Sequence, residues 1–292
     1  MPKLTHINST YFNVDGAEIS ALFVSGKYAY IGTKGDAGDV IEEFQIFDIS
    51  DPYNPTKVGG LDLSSTVYGT KSIFVRGDYA YVTIGSANLI GDSTEFVVLD
   101  ISDPYNPVYV DGVELGVTNL YSVDVQKNYA YIGVYANSGT DSLRVIDISD
   151  PENLSLVGGY DGGTCGFRRV KVYNDKYLFA VGDASCVGYG AAQQGFIVFD
   201  ISDPLIPTPV AGYSNGSNDF DFDISNRYLY LLSATTTPNS DLQILDISST
   251  TNPTVVGSGI DTGHGTVEGR VRVYGDYVFV GKTDDPSLSV YN

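Results

Sequence analysis

The chain has 292 residues, with 36 acidic against 16 basic side chains and a formal net charge of −20. That sign argues against nucleic acid and anionic lipid as partners, since binding phosphates needs clustered Lys and Arg, and no run of about 18 apolar residues is present to cross a bilayer. Tyr (23) and Gly (33) are abundant, Met occurs once and Trp never, the profile of a rigid, Gly-turned β protein.

The chain opens with Met1-Pro2-Lys3-Leu4, which does not resemble an export signal. From there one pattern recurs six times. An aromatic frame stands at Tyr28-Ala29-Tyr30, Tyr79-Ala80-Tyr81, Tyr129-Ala130-Tyr131, Tyr177-Leu178-Phe179, Tyr228-Leu229-Tyr230 and Tyr277-Val278-Phe279, at spacings of 51, 50, 48, 51 and 49. About twenty residues on, an apolar run closes at Asp48-Ile49-Ser50, Asp100-Ile101-Ser102, Asp147-Ile148-Ser149, Asp200-Ile201-Ser202 and Asp246-Ile247-Ser248. Repetition at this period marks a repeat architecture.

Each copy predicts four strands. Ser72-Ile73-Phe74-Val75 and Tyr79-Ala80-Tyr81-Val82 flank the short turn at Arg76-Gly77 and form a hairpin. The third strand ends in Asp-Ile-Ser, a turn follows at Ser50-Asp51-Pro52, and a fourth strand starts near the second proline, as at Pro55-Thr56-Lys57-Val58. Helix periodicity is absent. Runs such as Gly195-Phe196-Ile197-Val198-Phe199 are apolar at nearly every position and fit sheets buried on both faces.

Six hairpins and six third strands are followed by only five fourth strands. Pro2-Lys3-Leu4-Thr5-His6-Ile7 precedes the first hairpin at nearly the distance at which Pro55-Thr56-Lys57-Val58 precedes the second, and is expected to complete the last blade and hide its edge. The predicted fold is therefore all-β: a six-bladed β-propeller of four-stranded antiparallel blades, one domain over residues 1–292, closed by the N-terminal strand.

Gln45-Ile46-Phe47-Asp48-Ile49-Ser50-Asp51-Pro52 with Pro55, and its later versions, resembles the LVIVD repeat of bacterial and archaeal β-propeller proteins. The resemblance implies a propeller of the exported or surface-attached kind, without an assigned activity and without a catalytic motif to carry over. The fifth copy departs, with Ser248-Ser249-Thr250-Thr251-Asn252-Pro253 in place of the Asp-Pro turn.

In a propeller the first-to-second and third-to-fourth strand turns share one face, and here they are short and uniform. The links on the other face vary, from Lys282-Thr283-Asp284-Asp285-Pro286 to the long stretch between Gly182 and Gly195. A ligand is expected on that variable face.

Within the long link of the fourth copy, a hairpin turning near Asn174-Asp175 pairs residues whose numbers sum to about 349 or 350, which brings Cys165 close to Cys186. A Cys165–Cys186 disulfide is expected, and with it an oxidising, extracellular or cell-surface location. Innermost strands carry Arg169 and Lys171, then Asp221 and Asp223, then Arg270 and Arg272 at equivalent positions. One reading is an ion-pair ladder between blades; the other makes Arg168, Arg169 and Arg270 an anion site. Exposed Tyr189 could stack on a sugar or anchor a partner, and His264 lies in a Gly-rich link on the same face.

No cofactor motif is present. Asp36, Asp39, Asp284 and Asp285 are candidate oxygen ligands for calcium. With only His6 and His264, a His-based triad is not expected, and the Trp-ending Asp-box of sialidase propellers has no counterpart. The preferred reading is a non-enzymatic module that binds a protein or glycan at a surface. The alternatives are a lactonase-like hydrolase with an acidic, calcium-dependent channel site, and a structural subunit of a larger assembly.

Overall fold

A computed structural model describes residues 18–34, 42–63, 69–85, 94–117, 119–134, 141–163, 165–188, 190, 194–234, 241–262, 269–282 and 288–292. These residues form strands and turns, with no α-helix among them. The first sheet comprises β1 (Ile19–Ser25), β2 (Tyr28–Thr33), β3 (Phe44–Asp48) and β4 (Thr56–Leu61), and the second β5 (Thr70–Arg76), β6 (Tyr79–Ile84), β7 (Phe96–Asp100) and β8 (Val108–Val113). The third holds β9 (Leu120–Gln126), β10 (Tyr129–Val134), β11 (Leu143–Asp147) and β12 (Ser155–Tyr160), and the fourth β13 (Phe167–Tyr173), β14 (Tyr177–Gly182), β15 (Phe196–Asp200) and β16 (Thr208–Tyr213). β17 (Asp219–Ser225), β18 (Tyr228–Ser233), β19 (Leu242–Asp246) and β20 (Thr254–Ile260) make the fifth. Among the described residues the sixth has three strands, β21 (Gly269–Tyr274), β22 (Tyr277–Lys282) and β23 (Leu288–Tyr291). The architecture is a six-bladed β-propeller, as the repeat predicts. Residues 2–7, expected to supply the remaining strand, lie outside the described residues.

Two compact units divide the chain, residues 1–130 with 147–156, and residues 131–146 with 157–292. The core of the first includes a cluster that joins Tyr30, Phe44 and Ile46 of one sheet to Ile73, Val82 and Val97 of the next. In the second, Phe179, Phe196 and Val198 pack on Phe222, Leu229 and Leu231, and Leu232 packs on Val271 and Val280. Burial thus falls between sheets, which is why the central strands are apolar on both faces. Phe222 meets both Phe179 and Phe196, at centroid distances of 6.3 and 6.4 Å.

The repeated Asp-Ile-Ser marker has a local cause. The Oδ1 atoms of Asp48, Asp100, Asp147, Asp200 and Asp246 each accept a hydrogen bond from the backbone N–H of the Ser two residues on, at 2.8–2.9 Å. Such an Asx turn stops the strand. A second one follows at Asp51, Asp103, Asp150 and Asp203, which accept from Tyr53, Tyr105, Glu152 and Leu205. In the fifth copy Ser249 replaces that Asp; its carbonyl still accepts from Asn252 N–H at 3.0 Å, so the backbone turn survives without the side-chain bond.

At five hairpin tips one residue adopts a left-handed backbone, Gly26, Gly77, Lys127, Asn226 and Gly275, with φ of 50–61°, and at the fourth tip two do, Asn174 and Asp175, with φ of 50° and 56°. Gly and Asn suit that conformation and Lys does not. Hairpins carry a register shift near their start between Ile19 and Ala21, Thr70 and Ser72, Phe167 and Arg169, and Asp219 and Asp221. In the fourth sheet this bulge changes the pairing sum from 350 at Tyr173↔Tyr177 to 349 at Phe167↔Gly182. Arg168 is the bulged residue.

Candidate functional site

Period-two alternation on β13, β17 and β21 brings the charged side chains of three neighbouring inner strands together. Arg169 Nε lies 3.4 Å from Asp221 Oδ1, and Lys171 Nζ 3.3 Å from Asp223 Oδ1. The pairing then slips by one level. Arg272 takes Asp221 Oδ2 at 2.7 Å instead of Asp223, which accepts from Val273 N–H at 2.9 Å. Asp221 Oδ2 also accepts from Val271 N–H at 3.1 Å. Arg270, whose equivalents are Arg169 and Asp221, is exposed and donates to the Gly269 carbonyl at 3.0 Å.

Burial opposes ionisation of Asp223, but the Val273 N–H and the Lys171 ammonium outweigh it and hold the carboxyl below its usual range. Burial likewise works against the charge of Arg272, and Asp221 more than restores it.

The link from β14 to β15 stands beside this array. Cys165 and Cys186 form the expected disulfide, with Cα atoms 4.9 Å apart and both residues buried. The segment it clamps is tied on several sides. Asp183 N–H donates to Gly166 O, Val187 N–H to Gly162 O, and Ala184 N–H to Asn218 Oδ1, at 3.2, 3.1 and 3.0 Å. Tyr160 Oη donates to Val187 O at 2.8 Å. Both adjacent blade-to-blade links therefore hold the loop. Arg168 leans into it, with Nη2 3.5 Å from Asp183 Oδ1 and its guanidinium 5.1 Å from the Phe220 ring centroid.

Of the residues singled out from the sequence, Arg169 and Arg272 converge on Asp221, Arg168 is directed to Asp183 and Phe220, and Arg270 stands exposed near the start of β21. Tyr189, His264, Asp36, Asp39, Asp284 and Asp285 lie outside the described residues. Among the described residues no group of three or more His, Cys, Asp or Glu is placed to hold a metal ion.

Sequence reasoning missed a second repeated device. The residue just before the third strand caps the chain leaving the fourth. Glu43 Oε2 accepts from Leu63 N–H at 2.8 Å, Glu95 Oε2 from Leu115 N–H at 2.6 Å, Ser142 Oγ from Gly162 N–H at 3.2 Å, and Asp241 Oδ2 from Thr262 N–H at 3.1 Å. The signal was an acid directly before the apolar run, in Glu43-Phe44, Glu95-Phe96 and Asp241-Leu242. Burial pushes the Glu43 carboxyl up to about 7 and raises that of Glu95.

In the fourth sheet the position is Gly195, and Asp219 of the next sheet fills the space. Asp219 is fully buried; its Oδ1 accepts from Ser233 Oγ at 2.6 Å and Asn215 Nδ2 at 3.4 Å, while Oδ2 has no hydrogen-bond partner among the described residues. Burial pushes its carboxyl up to about 7.

No protein of curated function matches the sequence. The model of the LVIVD repeat matches residues 18–62, 69–114, 120–162 and 223–261, more than half of the chain. Among solved structures, the chain is similar to a protein from Lactobacillus plantarum at 15% identity, over 94% of this chain and 80% of that one, with a TM-score of 0.68. It is similar to a Bacteroides fragilis protein assigned provisionally as a 6-phosphogluconolactonase, at 16% identity over 93% and 79%, TM-score 0.62. A β-propeller domain from Myceliophteria thermophila aligns at 10% identity over 94% and 84%, TM-score 0.61. At such identities the likeness is one of fold alone.

Proposed function

The chain belongs to the LVIVD-repeat family, and from that premise we propose that it is a non-enzymatic binding module of the cell exterior or cell surface, engaging a protein or glycan through the face that carries the second-to-third-strand and blade-to-blade links. The observation that carries this reading is the loop at residues 183–187, fixed by the Cys165–Cys186 disulfide and by bonds to Gly162 and Asn218. A loop ordered before its ligand arrives loses little entropy on binding. On the opposite face the Asx turns differ little from copy to copy, which suits scaffolding. A buried disulfide fits an oxidising compartment, where such bonds persist.

The test is binding of the intact protein, and of a Cys165→Ser/Cys186→Ser double variant shown to keep its β circular dichroism, to a glycan array and to immobilised cell-surface extract. The reading expects a signal on one of the two, cut about tenfold or more in the double variant. Silence on both surfaces would overturn it.

A further inference from the structure

The ion-pair array on the inner strands is polarised. Its carboxylates are buried, with Asp221 and Asp223 side chains 1% and 13% exposed, whereas the cations facing them, Arg169, Lys171 and Arg272, are 29%, 37% and 48% exposed. Asp221 is engaged by two guanidiniums and by the Val271 N–H, so it offers solvent almost nothing. What this surface presents is the donor side of the pairs.

The balance of charge has the same sign. Strands β13, β17 and β21 carry five bases, Arg168, Arg169, Lys171, Arg270 and Arg272, against three acids, Asp219, Asp221 and Asp223. Adding Asp183, the partner of Arg168, makes four. Five minus four leaves +1, in a chain whose formal charge is −20. The one-level slip of Arg272 onto Asp221 adds the last element, because it leaves Arg270 exposed with a backbone carbonyl as its hydrogen-bond acceptor. Arg270 and Arg272 lie two apart on β21, on the same side of the strand.

We infer that Arg270 and Arg272, with the exposed edge of Arg169, form a receptor for the carboxylate of an acidic saccharide, a uronate-bearing sugar. Guanidinium groups match a carboxylate through paired N–H donors, and a sugar hydroxyl can take a donor that the carboxylate does not reach. A hexuronate presents both groups within one ring. The inference rests on the binding-module reading and names the ligand chemistry of that same face.

Isothermal titration of the intact protein with a glucuronate tetrasaccharide provides the test, compared with a neutral glucose tetrasaccharide, acetate, inorganic phosphate and an Asp-terminated peptide. The expected result is saturable binding of the glucuronate ligand only, weakened severalfold when salt rises from about 0.05 to 0.5 M and about tenfold or more in Arg270→Ala. Arg270→Lys keeps the charge but loses the fork, and should fall between. Because Arg270 is exposed, its removal leaves the core intact, and unchanged thermal unfolding of the variant checks this. Equal binding of glucuronate by Arg270→Ala and the parent would overturn the inference, as would phosphate or the peptide binding as tightly as the saccharide. Neutral-glycan or protein binding that ignores Arg270 would sink this inference and leave the module reading standing; silence toward every glycan and surface extract would sink both.

Discussion

Asp219 occupies the place that a side chain at Gly195 would need: a Cβ built on Gly195 would lie 2.4 Å from Asp219 Oδ2. Elsewhere in the repeat, Glu43, Glu95 or Asp241 at this position accepts an N–H from the following link. Here a carboxyl from the neighbouring sheet takes over the space without acquiring the donor.

Stability should therefore depend on pH through Asp219. Its folded pKa of about 7 lies above the ordinary 3.8, so between those values the folded state holds a proton that the unfolded state releases. Stability falls as pH rises through that window, by at most about 1.4 kcal/mol per pH unit. Glu43 and Glu95 act in the same direction. Asp219→Asn should flatten the slope, gaining on the parent as pH rises from 4 toward 8. Chemical denaturation at several pH values measures the difference; parallel curves would show that Asp219 is ionised when buried.

Gly195→Ala should destabilise the protein by roughly 1–3 kcal/mol, because the methyl group meets a buried carboxyl with little room to retreat. The double variant with Asp219→Ser, a smaller side chain, should recover part of that loss. Denaturant midpoints of the two singles and the double give the coupling.

Ser249→Asp should stabilise the fifth sheet. Asn252 stands where Asn54 and Asn106 donate to Asp51 and Asp103 at 2.9 Å, so the new carboxylate would find a waiting donor. A gain of about 0.5–1 kcal/mol is expected, read as a rise in Tm. Asp103→Ala should lose a similar amount.

Lys127→Gly removes a Cβ from a left-handed turn position, where φ is 50°. The expected gain is about 1 kcal/mol, seen as a higher denaturant midpoint. Gly77→Lys at the equivalent tip, where φ is 61°, should lose a comparable amount.

Removing the disulfide as Cys165→Ser/Cys186→Ser should cost about 3 kcal/mol for a sequence separation of 21. Beyond that global loss, hydrogen exchange should speed up most at Val187 and Ala184, whose N–H groups are bonded to Gly162 and Asn218. Uniform acceleration across the chain would contradict a clamp of local reach.

Local chemistry was legible in the chain, and side-chain reach was not. The Tyr-Ala-Tyr frames, the Asp-Ile-Ser stops and the hairpin sum that joins Cys165 to Cys186 depend on neighbours in sequence or on a two-stranded register, both of which follow from periodicity. The capping role of Glu43 and Glu95 spans a separation of 20 residues, across two strands and a turn. The slip of Arg272 onto Asp221 is a choice between two carboxylates one level apart, each of which also accepts a backbone N–H, from Val271 and Val273. Strand alternation predicts that these charges share a side and is silent on which pairs form.

The central claim is that recognition belongs to the face of the links and not to the face of the Asx turns. Hydrogen-exchange mass spectrometry with and without the glucuronate tetrasaccharide tests it most directly. Protection is predicted at residues 183–188, 214–219 and 269–273, with none at 50–54 or 102–106, where Tyr53 and Tyr105 stand exposed. Protection centred on those tyrosine turns instead would contradict it.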